Sequence, residues 1–233
     1  MSDDKKFTPF DKSHAASYDR VWTPLAPMRD ALHLLTRFAL SELPQEARIL
    51  CVGAGTGAEI LYLAGAFPGW RFTGVDPSAP MLEVCRRRVE EAGVSARCTL
   101  HHGTLGTLPE SEPFDGATSL LVSQFLVDVQ ERRGFFSEVR ARLRLGAPLV
   151  SADLSSDMSS ADYRRLLGLW RRALKFCELP DAQVEKAGEA YGRDVAVLPQ
   201  REIASIIESA GFSPPVLFAQ TALIHAWLAE AVA

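Results

Sequence analysis

The sequence predicts an α/β protein with a doubly wound, mostly parallel seven-stranded sheet, an N-terminal helical cap and a late helical insertion. Short apolar runs alternate with helix-length segments along the middle of the chain, the pattern of a sheet covered on both faces. The first of these runs stops on a glycine cluster, as a strand does when it turns into a helix. At 233 residues, 47% of them hydrophobic, the chain is long enough to bury one large core without disulfides.

The elements follow in order. Residues 1–9 are polar and read as a frayed end. Helical spacing runs through 11–43 on Leu25, Met28, Leu32, Leu35, Phe38 and Leu40, broken early by Pro24 and Pro27 and closed by Pro44. Ala47 to Val52 is the first strand, Ala58 to Phe67 a helix, and Arg71 to Val75 a second strand ending at Asp76. Met81 to Ala92 is helical, stopped by Gly93, and Ala96 to His101 alternates as a strand. A long apolar strand spans Phe114 to Val122, before a helix at Val129–Leu145 and a strand at Pro148–Ala152. Residues 159–192 break the rhythm with two helical segments divided at Pro180. Pro199 opens a further helix through Ala210, and Val216–Leu228 reads as a terminal hairpin. One domain results: a helical lid at 1–44, a core at 45–158, an insertion at 159–193, and a terminal helix and strands at 194–233.

Charge and cysteines narrow the function classes. A formal net charge of −4 argues against a general grip on nucleic acid. Cys51, Cys85, Cys98 and Cys177 are widely spaced with no metal-ligand pattern, and read as buried thiols of a reducing compartment. No apolar run reaches membrane-spanning length, and the opening residues lack a leader's hydrophobic stretch, so a cytoplasmic location without membrane contact is expected.

The glycine cluster carries the chemistry. Gly53, Gly55 and Gly57 let a ligand approach the backbone, while the next helix aims its N-terminus at it. Asp76 closes the second strand, where a carboxylate can take both hydroxyls of a ribose. Gly53, Gly55 and Ala58 also satisfy a nicotinamide-dinucleotide pattern. Against that reading, about 45 helical residues precede the first strand, a lid's worth over a smaller cofactor.

The segments Ile49 to Gly57, Gly74 to Leu82, His102-Gly103-Thr104 through Leu108-Pro109, and Phe114-Asp115 resemble the blocks of class I S-adenosylmethionine-dependent methyltransferases. Phe10-Asp11, Tyr18-Asp19 and the Ala210-Gly211-Phe212 turn strengthen the resemblance. It implies a Rossmann-like methyltransferase fold and S-adenosylmethionine as cofactor. Gly53, Ala54, Gly55 and Gly57 would underlie the donor's methionine part and Asp76 would bind its ribose. Pro77 and Met81 would flank ribose and adenine, Gly103, Thr104 and Leu105 would meet the adenine edge, and Ser119 and Leu120 would line the donor near its sulfonium. The chain departs from the family at Cys51 and Thr104, where acids are usual, and at Leu120, where Asn or Asp is common.

Methyl transfer needs alignment of nucleophile, methyl and sulfur, and a base only if the acceptor must lose a proton. The catalytic candidates are Tyr18, His14 and Gln124. His101 and His102 read as structural or adenine-edge residues and His225 as a core histidine, and no metal site is expected. Tyr18, Trp22, Tyr163, Trp170 and Arg193 are candidates for contact with a small-molecule acceptor. The Arg164, Arg165, Arg171, Arg172 and Lys175 run reads as a solvated helix face. A narrower likeness, in Phe10-Asp11, Val122 to Leu126 and Leu217 to Gln220, is to carboxy-S-adenosylmethionine synthases of transfer-RNA wobble-uridine modification, with Arg193 as the carboxylate's partner. A non-catalytic binding protein that keeps the fold is a third reading. The oligomeric state stays open, a homodimer included.

Overall fold

The computed structural model describes residues 12–177 and 179–233. Phe10 and Asp11 lie outside the described residues. The elements run α1 (Lys12–Trp22), α2 (Ala26–Ala39), β1 (Arg48–Val52), α3 (Ala58–Ala66), β2 (Arg71–Asp76), α4 (Ala79–Glu91), β3 (Cys98–His102) and β4 (Gly116–Leu120). They continue with α5 (Val129–Ala141), β5 (Pro148–Leu154), α6 (Ala161–Phe176), α7 (Asp181–Ala190), α8 (Gln200–Ser209), β6 (Val216–Thr221) and β7 (Ile224–Glu230).

The seven strands form one open sheet in the order β3-β2-β1-β4-β5-β7-β6. β1 pairs in parallel with both β2 and β4, so the winding reverses between β1 and β4. That reversal leaves a crevice at the strands' carboxyl ends, where α/β proteins of this design bind ligands. β7 runs antiparallel to β5, and β6 antiparallel to β7, which makes the terminal hairpin the departure from parallel order.

Alternation along β1 sends its side chains to two cores. Leu50 and Val52 pack with Phe136, Val139, Ile203 and Ile207 of α5 and α8. Ile49 and Cys51 pack on the other face with Ile60, Leu63, Leu82 and Cys85 of α3 and α4. Cys51, Cys85 and Cys177 are buried and Cys98 is half-buried, all as free thiols.

Several boundaries differ from the sequence expectation, three of them with a visible cause. The fourth strand stops at Leu120 instead of Val122, because Leu121 turns left-handed with φ 61°. The fourth helix starts at Ala79, where Ser78 caps it by accepting the Met81 N–H and Pro80 fits the first turn. The fifth helix ends at Ala141, ahead of the bridge between Leu143 and Phe114. Among the described residues, no helix is long and apolar enough to cross a membrane.

Candidate active site

The glycine loop and Asp76 meet at the carboxyl ends of β1 and β2. Gly53 and Ala54 donate their backbone N–H groups to Val75 O, at 2.8 and 3.1 Å, which pins the loop to β2. Asp76 Oδ2 accepts from the Gly55 N–H and Oδ1 from the Ser78 N–H, each at 2.8 Å. The three glycines serve different ends. A Cβ on Gly53 would stand 2.3 Å from Val122 Cγ2, and one on Gly57 would stand 2.5 Å from Cys85 Sγ. A Cβ on Gly55 would meet nothing nearer than the Met81 methyl at 3.7 Å. Gly53 and Gly57 therefore admit neighbouring protein, while Gly55 leaves its backbone open to a ligand.

Burial raises the Asp76 pKa, and the Ser78 and Gly55 N–H groups together with His102 oppose the rise. Each carboxylate oxygen accepts one backbone hydrogen bond and keeps capacity for another. The Gly103 N–H donates to Asp76 O at 3.0 Å, bringing Gly103-Thr104-Leu105 beside the acid. There Thr104 and Thr107 cap a short 3₁₀ turn reciprocally and Leu105 is buried. His102 Nε2 lies 3.1 Å from Pro77 O, and His101 Nε2 lies 2.9 Å from Thr107 Oγ1. Both histidines thus tie neighbouring loops together.

α1 is clasped over this loop by residues the sequence reading did not assign to the site. Thr56 Oγ1 donates to Asp19 Oδ1 at 3.0 Å, and Arg88 Nη1 reaches Asp19 Oδ2 at 2.8 Å. Arg88 also donates to Thr56 O at 3.1 Å. The clasp sets Tyr18 near Asp76: burial raises the Tyr18 pKa first, then the charges of Asp19 and Asp76. One turn on, Trp22 packs against Tyr18 with ring centroids 6.2 Å apart. Trp22 also joins the apolar cluster of Tyr163, Trp170, Leu174 and Tyr191. Trp170 Nε1 donates to Tyr191 Oη at 2.7 Å. The side chain of His14 lies outside the described residues.

The loop after β4 rests on a buried ion pair. Arg132 and Asp153 are both fully buried, with Nη2 3.1 Å from Oδ2. Ser123 Oγ donates to Asp153 Oδ2 at 2.8 Å and accepts from Arg132 Nε at 2.9 Å. Burial pushes the Asp153 carboxyl up, and Arg132 pulls it back. Gln124 stitches this loop to β5: its N–H donates to Asp153 Oδ1, and its side-chain oxygen accepts from the Leu154 N–H. Gln124 is therefore engaged with backbone. Ser119 Oγ is buried without a hydrogen-bond partner among the described residues. Leu120 packs toward Leu32 and Phe218. Arg193 pairs with Asp194 at the surface, its side chain 65% exposed.

A left-wound glycine loop on β1, an acid closing β2 and a seven-stranded sheet with an antiparallel seventh strand define a Rossmann-like methyltransferase fold. Residues 49–146 match the family model described as a methyltransferase domain. Among curated relatives, a ubiquinone biosynthesis O-methyltransferase from Methylocella silvestris is 29% identical over 180 residues, covering 64% of this chain and 66% of that protein. A 37.1 kDa protein of transposon TN4556 from Streptomyces fradiae is 29% identical over 192 residues, covering 80% of this chain and 49% of that one. The chain thus spans about half of the latter's length. Two solved structures share the fold. An O-methyltransferase family protein from Burkholderia thailandensis is 12% identical with TM-score 0.69, over 95% of this chain and 60% of that one. An O-methyltransferase family 2 protein from Planctomyces limnophilus, in complex with apigenin, is 18% identical with TM-score 0.64, over 100% of this chain and 64% of that one.

Proposed function

We propose that the protein transfers the donor's methyl group to a small-molecule acceptor by direct displacement. The observation that carries the reading is the open backbone at Gly55 bonded to Asp76, inside the segment that matches the methyltransferase domain. S-adenosylmethionine supplies an electrophilic methyl on a sulfonium. Asp76 would hold the ribose through the remaining lone pairs of its carboxylate. Gly55 and the N-terminus of α3 would take the methionine end, and Met81 would border the adenosine. In the transfer, a lone pair of the acceptor forms the new bond to the methyl carbon as the carbon–sulfur bond breaks, releasing S-adenosylhomocysteine. Alignment supplies the rate. The acceptor would lie beside Trp22 of α1 and the rings of Tyr163, Trp170 and Tyr191, which suit an aromatic or other apolar body. Acceptors carrying a hydroxyl oxygen are the first to try, since the Methylocella relative is an O-methyltransferase and the Planctomyces structure holds apigenin.

Thermal unfolding with S-adenosylmethionine, S-adenosylhomocysteine or NAD tests the reading. At a hundred times its dissociation constant a ligand adds about 2.7 kcal/mol, which raises the Tm of a domain this size by several degrees. Both sulfur ligands should raise it, NAD should not, and Asp76→Asn should abolish most of the rise. No rise with either sulfur ligand, on folded protein, would sink the reading.

A further inference from the structure

One buried acid belongs to neither the Asp76 site, the clasp nor the Arg132 pair. Glu59 is the second residue of α3, and only 7% of it is exposed. Its carboxyl lies over the β1–β4 pair: Thr118 Oγ1 donates to Oε1 at 2.7 Å, and the Cys51 side chain hydrogen-bonds to the same group. Cys51 and Thr118 are direct partners in that pairing. Each stands two residues before the point where its strand gives way to the site: Gly53 on one side, Leu120 on the other. Glu59 thus sits one layer beneath the glycine loop, on the face that α2 and α3 cover.

No cation compensates it. Among the described residues, no lysine, arginine or histidine forms an ion pair with Glu59, whereas Asp19 faces Arg88 and Asp153 faces Arg132. A lone carboxylate at that depth is costly, and an apolar side chain would pack there at lower cost. A charge arriving with a ligand resolves the cost, and the donor carries one primary ammonium at its methionine end. The donor's own carboxylate is better matched to the N-H groups at the start of α3.

Resting on the assignment of S-adenosylmethionine to the glycine loop, we propose that Glu59 receives the donor's amino group. The anion that the first strand lacks at Cys51 is then supplied from the following helix. Glu59 would recognise the amino-acid end of the donor and have no part in holding its adenosine.

Calorimetric binding of two ligands to two proteins separates these ends. S-adenosylhomocysteine carries the amino group; 5′-methylthioadenosine keeps adenosine and sulfur without it. Glu59→Gln preserves shape and can still accept from Thr118. It should bind S-adenosylhomocysteine roughly 10- to 100-fold more weakly, the worth of one charged hydrogen bond. Its affinity for 5′-methylthioadenosine should stay within about twofold of wild type, which also certifies the folded loop. Adding Cys51→Asp to Glu59→Gln should restore part of the loss, because it returns a carboxylate to a contacting side chain; a purely structural Glu59 would not be rescued this way. Unchanged S-adenosylhomocysteine affinity in Glu59→Gln, or an equal loss for both ligands, overturns the proposal. Wild-type protein that binds neither ligand overturns the donor assignment itself, and the proposal with it.

Discussion

At the scale of single residues, the glycine loop separates stability from binding. Gly55→Ala places a side chain at φ 52° but in open space, so it should cost roughly 1–2 kcal/mol while blocking the donor. Gly57→Ala, at φ 79°, adds a collision with Cys85 Sγ and should cost roughly 2–5 kcal/mol. Urea unfolding paired with S-adenosylhomocysteine binding distinguishes the two. Glu59 makes a pH-dependent prediction. Burial raises its pKa from 4.5 to about 7, so the folded protein holds a proton there that the unfolded chain releases. Stability from this group is therefore present at low pH and lost as pH rises through the interval from 4.5 to about 7. Without ligand, Glu59→Gln should be more stable than wild type at pH 8, by an amount on the order of 3 kcal/mol, and the gain should vanish near pH 4. Denaturant midpoints across that range check it. Of these residues, Gly55 and Asp76 were legible in sequence because motif and strand end coincide. Glu59 was not, since its meaning lies in facing Cys51 and Thr118 across 8 and 59 positions of chain.

At the scale of elements, the two polar knots should respond differently. The clasp on α1 is partly exposed, with Arg88 and Asp19 side chains 29% and 36% accessible. Arg88→Met should therefore cost no more than about 1 kcal/mol globally. Its visible effect should be faster amide exchange over residues 12–22, the helix whose hold it weakens. The Arg132–Asp153 pair is fully buried, and Arg132→Met strands the Asp153 carboxylate. A loss of about 3–5 kcal/mol is expected, read by chemical denaturation. Alternation and glycine stops made the order of strands and helices readable, including the break at Pro180 and the terminal hairpin. The end of β4 was not readable. Leu121 adopts a left-handed conformation that its residue type disfavours, and the next residue, Val122, packs on Gly53, a neighbour 69 positions away.

At the scale of the whole molecule, the sequence disclosed which elements form a doubly wound sheet and which loops meet at its carboxyl edge. It disclosed less about how the cap and insertion associate, because those contacts join side chains far apart in the chain, 141 positions for Trp22 and Tyr163. Their meeting has a thermodynamic meaning. One turn of α1 sets Tyr18 within reach of the Asp76 charge, and the next sets Trp22 among the rings of α6. A single helix thus adjoins both the proposed donor site and the proposed acceptor site, and whichever occupant steadies it prepares the place of the other. Donor and acceptor should therefore each tighten the binding of the other. The signature is that S-adenosylhomocysteine slows amide exchange in residues 161–176, a helix it need not touch, together with residues 12–22.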